Sequence, residues 1–532
     1  MNKGKYRVGF DVGGTFTDGV LVEGDKVIAK IKSLTTPDVT TGIINALDVL
    51  LEKSKVNSRD IMMVSFGTTH TTNAIIERSG LNKVGIFRIG VPATTAVPPL
   101  TDWPEDLKEV IGGEKNCFMI RGGSEFNGAD ITPLDRDAIY KACEQLKGTV
   151  DSIAITSVFS PMISTHEDIA AEIVREVLGD SVYITLSNKI ASISILEREN
   201  STILNASVIN VMHSAVNALK EATAKRDIKA PLFIVQNDGS VMSADYAINY
   251  PIFTVASGPA ASVRGAVFLS KIENGIVADI GGTTTDIAYI VNGFPRESSI
   301  SVNIGGVKTN IRCPDLLSIG LGGGTMIKSK GEKILGIGPE SVGHNLIRFG
   351  RSFGGPILTT HDIAVATGIV NEQLDIFETK PVTHPEKIKM LSPKLVENAY
   401  AKIKEKLETA IDQMKTTAEK VPAIFIGGGA LVVPSENIEG TTEVIKPDNF
   451  EVGGAVGTTI AEIGAYAEGV YDLAISKREQ CIQEVLDKAK ENLAFAGGLV
   501  ESAEIIEIEE IPFAYMPGQR EKIRIRVKGR AF

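Results

Sequence analysis

The chain has 532 residues, of which 43% are hydrophobic and 23% charged, a globular composition long enough for two to four domains with ample core. Its formal net charge of −11, with no Lys/Arg tract and no interleaving of aromatic and basic residues, argues against nucleic acid or an anionic membrane as the main partner. No uncharged apolar run of about 18 residues occurs, so no membrane-spanning helix is expected.

Met1-Asn2-Lys3-Gly4-Lys5 leads straight into an apolar strand, Tyr6 to Phe10, with no signal-peptide core before it. Asp11-Val12-Gly13-Gly14-Thr15-Phe16-Thr17-Asp18 follows, then a second strand and a turn at Glu23-Gly24-Asp25. Residues 33–38 predict a turn, and Ile43, Leu47 and Leu51 a helix from Val39. Val64 to Phe66 predicts a short strand ending in Gly67-Thr68-Thr69-His70-Thr71-Thr72-Asn73. That polar segment should open a helix, residues 74–78, closed by Gly80. Lys83 to Arg88 is a strand, and residues 132–180 alternate helix, strand and helix, an α/β layer. A long helix from Glu199 to Lys225 is expected to cross between two lobes, with the lobe boundary near residue 200.

The second half repeats the first. A strand, Gly275 to Ala278, enters Asp279-Ile280-Gly281-Gly282-Thr283-Thr284-Thr285-Asp286, and a second strand with a turn at Asn292-Gly293 follows. Further on lie Gly320-Leu321-Gly322-Gly323-Gly324-Thr325, a glycine-rich stretch carrying Arg348 and Arg351, an amphipathic helix over 392–418, and a strand ending in Gly427-Gly428-Gly429. A helix over 476–496 and two strands make a small C-terminal appendage. The expected division is 1–200, 201–470 and 471–532.

A strand ending in Asp, then Gly-Gly-Thr, then a returning strand is the build of a phosphate clamp. Glycine lets backbone approach a ligand closely, and successive N–H groups form an anion nest. Gly13, Gly14, Gly281 and Gly282 would supply amides, and Thr15, Thr17, Thr283, Thr284 and Thr285 hydroxyls. Asp11 and Asp279 would stand beside the phosphates, where a carboxylate is tolerated if Mg2+ lies between, directly or through water. Two clamps facing each other could hold the triphosphate of ATP from both sides. Gly322 and Gly323 are assigned to the phosphates, and Gly427, Gly428 and Gly429 to the adenosine. Thr68, Thr69 and Asn73 are expected on the acceptor face, with Thr69 and Asn73 catalytic beside Asp11 and Asp279. Asp18 and Asp286 either orient the hairpins or act chemically.

The order of clamp, linker, clamp and Gly-Gly-Gly resembles the actin, Hsp70 and sugar-kinase fold, an α/β architecture of two related ribonuclease-H-like lobes around an ATP cleft. Residues 10–18, 67–78, 197–206, 256–262 and 279–286 resemble the signature blocks of the hydantoinase/oxoprolinase family, specifically the A (alpha) subunit. That resemblance implies ATP-driven opening of a cyclic amide or imide. The ring carbonyl oxygen would be phosphorylated here, and a B (beta) subunit would complete hydrolysis in a cytoplasmic hetero-oligomer. A ketone carboxylase built on the same module, or an actin- or Hsp70-like ATPase, remain alternatives. Larger members of the family carry a cysteine-containing block where this chain has residues 343–350, and no cysteine lies there; Asp362 still matches an acidic position. The scattered cysteines, Cys117, Cys143, Cys313 and Cys481, fit a reduced compartment.

Overall fold

The computed structural model describes residues 5–13, 16–34, 39–298, 301–370, 382–433, 438–513 and 518–531. Two mixed sheets carry the two repeats. In the first, Tyr6–Val12, Phe16–Glu23 and Lys26–Leu34 form an antiparallel meander. Ile61–Thr68 adds parallel to Tyr6–Val12, and Leu232–Val235 adds parallel to Ile61–Thr68. In the second, Gly275–Ile280, Thr285–Val291 and Phe294–Pro295 form the meander, and Val421–Ile426 and Thr441–Ile445 add parallel in the same order. Both sheets therefore have the spatial order third, second, first, fourth, fifth. The registers coincide too: Asp11 pairs with Asp18, and Asp279 with Asp286. This duplicated unit is the actin/Hsp70/sugar-kinase arrangement that the repeated octapeptide implied.

Alternation explains why the first meander folds. Val8, Phe10 and Val12 are buried, and Phe10 stacks on Phe66 of the parallel neighbour with ring centroids 5.2 Å apart. Gly24 takes φ +55° at the turn, and Asn292 and Gly293 take φ +51° and +79° in the second repeat. Two-residue hairpin turns need positive φ at the first central residue, as at Gly24, or at both, as at Asn292 and Gly293.

The sheets cut the chain differently from a division at residues 200 and 470. The first sheet continues through Leu232–Val235 and Val241–Ser243 to Glu462–Asp472, Arg520–Arg530 and Glu504–Pro512, making nine strands. The C-terminal segment is thus the far edge of the first sheet rather than an appendage. Between the first repeat and the long helix lies a separate all-parallel sheet of Cys117–Arg121, Val84–Val91, Ser152–Ser157 and Tyr183–Leu186. It has its own core around Phe87, Ile89, Ile153 and Ile155.

The long helix spans Ile195–Ala224, starting four residues before the expected Glu199. It packs between the first sheet and the inserted sheet, not between the two repeats. The elements that join the repeats are Ser257–Ser270 and Gly453–Thr458, which touch strands of both sheets and cross each other at glycines. A Cβ added at Gly457 would lie 1.8 Å from the Ala261 carbonyl, and one at Gly265 1.9 Å from the Gly453 carbonyl. No described helix is long and apolar enough to cross a membrane.

Candidate active site

The first hairpin presents Asp11 at the end of Tyr6–Val12, directly opposite Asp18. Asp18 accepts from Lys32 Nζ at 2.6 and 2.8 Å, and Lys32 is its cross-strand partner on Lys26–Leu34. Asp286 is held in the equivalent way, by the hydroxyl of its cross-strand partner Ser318. Each of these two aspartates thus ties its hairpin to the neighbouring strand. Gly13 follows the first strand, whereas Gly14 and Thr15 lie outside the described residues. Thr17 is buried, its carbonyl accepting from Ser33 Oγ at 3.3 Å. It therefore sits on the core side of its strand.

In the second hairpin Gly281 donates to the Thr284 carbonyl at 2.9 Å, closing the turn. Gly282, Thr283 and Thr284 are exposed. Thr285, expected on a phosphate, is instead buried and donates its hydroxyl to the Leu321 carbonyl at 2.5 Å. Strand alternation turns it inward while its neighbours stay at the surface. Gly323 and Gly324 donate to the carbonyls of Gly281 and Gly282 at 3.0 and 2.8 Å. In a trans peptide the C=O and the following N–H point opposite ways. Fixing these two carbonyls therefore aims the Gly282 and Thr283 N–H groups away from the buttress. Gly323 and Gly324 form that buttress, and Gly322 packs beside them, where a Cβ would meet Thr283 N at 2.6 Å.

The triple glycine closes on the same place. Gly429 donates to the Ile280 carbonyl at 2.7 Å and Gly427 to the Phe450 carbonyl at 2.8 Å. Gly427 takes φ +85°, and a Cβ there would lie 2.2 Å from Asp279 Oδ1. The nearest atom to a Cβ on Gly428 would be Lys32 Cε, 3.8 Å away. Bare backbone from the second repeat thus faces a lysine of the first.

Asp11 and Asp279 meet through Ser262, on helix Ser257–Ser270. Ser262 donates to Asp279 Oδ2 at 2.6 Å. A single point, the Cβ position at Gly454, lies 3.2 Å from Ser262 Oγ and 2.4 Å from Asp11 Oδ2. Burial, with Asp18 and Asp279 nearby, pushes the Asp11 carboxyl up to about 7 against the pull of Lys32. Burial likewise raises Asp279 to about 6, opposed by the Ser262 hydrogen bond. Two carboxylates that resist ionising together are a natural place for a cation. Among the described residues no group of three or more His, Cys, Asp or Glu is set to hold a metal. Two carboxylates beside a polyphosphate suit Mg2+, which takes few protein oxygens and completes its shell with phosphate and water.

The 67–78 segment lies against the first clamp, Asp11 opposite Gly67 and Val12 opposite Thr68. Helix His70–Glu77 starts four residues earlier than expected, so His70, Thr71, Thr72 and Asn73 are in its first turn. Thr69 donates to the Val12 carbonyl at 3.4 Å, and Asn73 Nδ2 donates to Thr69 Oγ1 at 3.3 Å. The Thr68 hydroxyl pairs with His70 Nδ1, and burial lowers the His70 pKa. A neutral imidazole therefore stands at the clamp. His70, Lys32, Ser262 and Gly454 were not singled out from the sequence. His70 and Ser262 lie inside motifs that were, whereas Lys32 sits in an ordinary alternating strand. Asp362 is buried and accepts from the backbone of Arg351, Ser352 and Thr359 and from the Thr359 hydroxyl. It caps helix Thr360–Ala366.

Turns from the two repeats thus close around one carboxylate cluster in an actin-like α/β fold. Within it, the family description "Hydantoinase/oxoprolinase N-terminal region" matches residues 7–178, and "Hydantoinase/oxoprolinase" matches residues 198–504. The chain belongs to the hydantoinase/oxoprolinase family. It is 27% identical to the caprolactamase alpha subunit of Pseudomonas jessenii, over 69% of this chain and 55% of that protein. It is 25% identical to the acetophenone carboxylase gamma subunit of Aromatoleum aromaticum, over 68% of this chain and 53% of that protein. The chain thus spans little more than half the length of these curated relatives. The crystal structure of ATP-dependent caprolactamase from Pseudomonas jessenii superposes with a TM-score of 0.77 at 18% identity, covering 99% of this chain and 88% of that one.

Proposed function

We propose that this chain is the ATP-dependent phosphorylating module of a cyclic-amide hydrolase acting on a hydantoin, a lactam or 5-oxoproline. The observation that carries the reading is the meeting of Asp11 and Asp279, one from each repeat, at Ser262 and Gly454. The exposed Gly282, Thr283 and Thr284, with Gly13 opposite, would clamp the β- and γ-phosphates. Asp11 and Asp279 would hold Mg2+, which when bound neutralises phosphate charge. Lys32, paired with Asp18, places a positive charge in the same cleft. Phosphoryl transfer needs chiefly positioning and charge neutralisation, and this constellation supplies both.

The ring carbonyl oxygen would take the γ-phosphoryl group as the bond to ADP breaks. A first water would then add to the activated carbon and the C–N bond would break, freeing the amine and leaving an acyl phosphate. A second water would release phosphate and leave the open-chain amino acid, or its N-carbamoyl derivative from a hydantoin. Thr69, His70 and Asn73 face this step from helix His70–Glu77. A B-type subunit would complete the hydrolysis, in the cytoplasm, where the four cysteines stay free thiols. The acetophenone carboxylase relative favours a second reading, with a ketone enol and activated bicarbonate in place of the ring.

The test is ATP hydrolysis by the purified chain with Mg2+, with and without a co-expressed B-type subunit, over hydantoins, lactams, and ketones plus bicarbonate. Stimulation by a cyclic amide that disappears in Asp11→Asn supports the hydrolase. Stimulation by ketone and bicarbonate alone moves the chain to the carboxylases. Turnover indifferent to every substrate and subunit would return the actin-like motor or chaperone.

A further inference from the structure

Away from the clamps, strands Glu462–Asp472 and Arg520–Arg530 line a cavity of about 720 Å3. None of Asp11, Lys32, Thr68 or Asp279 borders it. Strand Glu462–Asp472 is four places from Tyr6–Val12 in the first sheet, about 19 Å at the usual strand spacing. The cavity is thus a separate site.

Its polar wall is built by strand alternation. Tyr466 and Glu468 share one face, and their cross-strand partners are Arg526 and Arg524. The two arginines are only 4% and 5% exposed. Glu297 contacts both, at 3.2 Å each, and Arg526 also reaches Asp238 at 3.1 Å. Glu468 has Lys522 at 3.8 Å. These contacts leave atoms over. Glu468 Oε1, Arg526 Nε and Arg524 Nη1, the last 3.8 Å from Glu507, are buried without a hydrogen-bond partner, and all three belong to residues lining this cavity. Buried charged groups short of partners are costly. Their concentration around one space of ligand size points to a molecule that completes them.

The chemistry of that molecule follows from the leftover atoms. Guanidinium nitrogens take a carboxylate, and the carboxylate oxygens take an ammonium. A plain acid would leave Glu468 Oε1 unanswered, and a plain amine would leave the arginines so. Tyr246, Tyr250 and Phe253 pack in series, with centroids 4.6 and 6.0 Å apart, and supply an aromatic wall for a carbon chain. We propose that the cavity binds a small amino acid as its zwitterion, the carboxylate on Arg524 and Arg526 and the ammonium on Glu468. The proposal rests on the cyclic-amide reading only for which amino acid is meant, namely the one released by ring opening. The site then holds product apart from the nucleotide.

The test is calorimetric titration of the nucleotide-free chain with ε-aminocaproate, glutamate and glycine, against caproate and hexylamine. One amino acid should bind at least about tenfold more tightly than the matched acid or amine, the usual worth of an answered buried polar group. Glu468→Gln should weaken it by about tenfold or more. Ser192→Trp, which adds bulk from a half-buried lining residue on the side that the Tyr466 hydroxyl reaches, should abolish binding. Thermal melting and Mg·ATP binding at the distant cleft report whether each variant is folded. No binding by the wild-type chain, equal binding of caproate and hexylamine, or affinity untouched by both variants overturns the proposal. If an amino acid binds while no cyclic amide drives ATP turnover, the functional reading fails and the site stands. If a lactam drives turnover while no amino acid binds, the reverse holds.

Discussion

Asp11 and Asp279 set the pH behaviour of the ligand-free protein. Their folded pKa values, about 7 and 6, lie above those of an unfolded carboxylate. Between the unfolded and folded values the native state binds more protons, so stability falls as pH rises. This contribution is fully present below about pH 4 and is lost as pH passes through the folded values. Asp11→Asn removes it. The variant should be more stable than wild type at pH 8 by on the order of 1–3 kcal/mol, yet inactive as an ATPase. Melting curves against pH, with and without Mg·ATP, check this; a variant less stable than wild type at pH 8 would contradict it. Gly427 is the companion case. A side chain there has φ +85° to tolerate and Asp279 Oδ1 at 2.2 Å to displace. Gly427→Ala should cost about 1–3 kcal/mol and lower ATP turnover at least about tenfold, read by denaturant titration and steady-state kinetics.

At the scale of elements, the sequence pattern located the two hairpins' paired strands and the long helices, because apolar periodicity and glycine turns are local signals, but it passed over strands Lys26–Leu34 and Glu462–Asp472 and helix Gly453–Thr458. It missed where helices begin. His70–Glu77 starts early because its first turn, His70-Thr71-Thr72-Asn73, is polar and carries no apolar stripe; Ile195–Ala224 gains one further turn, Ile195 to Arg198, ahead of Glu199. Thr285 was misjudged for a similar reason: composition shows a hydroxyl, but only register shows which way it turns. The block 197–206 was legible as a motif, and its role is to join elements. Glu199 and Arg88 form an ion pair, with both side chains 1% exposed, between the long helix and the inserted sheet. Arg88 Nε donates to Glu199 Oε1 at 2.7 Å. Removing one partner strands a buried charge, so Glu199→Gln should destabilise by about 3–5 kcal/mol. The double variant Arg88→Met/Glu199→Leu should recover much of that loss. Chemical denaturation of both variants decides it, and an equally unstable double variant would argue against the pair as the cause.

For the whole molecule, the duplication was legible because one octapeptide occurs twice, and the facing clamps follow from it. How the repeats are joined was not, since the glycines at the crossing, Gly265, Gly453 and Gly457, lie outside the motifs. Helices Ser257–Ser270 and Gly453–Thr458 approach so closely that Gly265 and Gly457 have backbone where a side chain would go. Gly9, below them, has Thr458 Oγ1 at 2.2 Å from its Cβ position. Each helix also carries part of the cleft, Ser262 on one and Gly454 beside Asp11 on the other. The crossing therefore sets the distance between Asp11 and Asp279, and any methyl group inserted there must move one repeat against the other. Gly457→Ala places its Cβ 1.8 Å from the Ala261 carbonyl. It should destabilise by about 1–3 kcal/mol and weaken ATP binding although residue 457 touches no phosphate. Gly331→Ala is the control for an equally conservative change. Gly331 has a positive φ, +62°, which helical Gly457 lacks, but nothing lies within 4 Å of its Cβ position. It should lose some stability through backbone strain and leave nucleotide affinity alone. Titration of both variants with Mg·ATP separates the two effects. Equal affinity in Gly457→Ala and wild type would mean that the crossing does not govern the cleft.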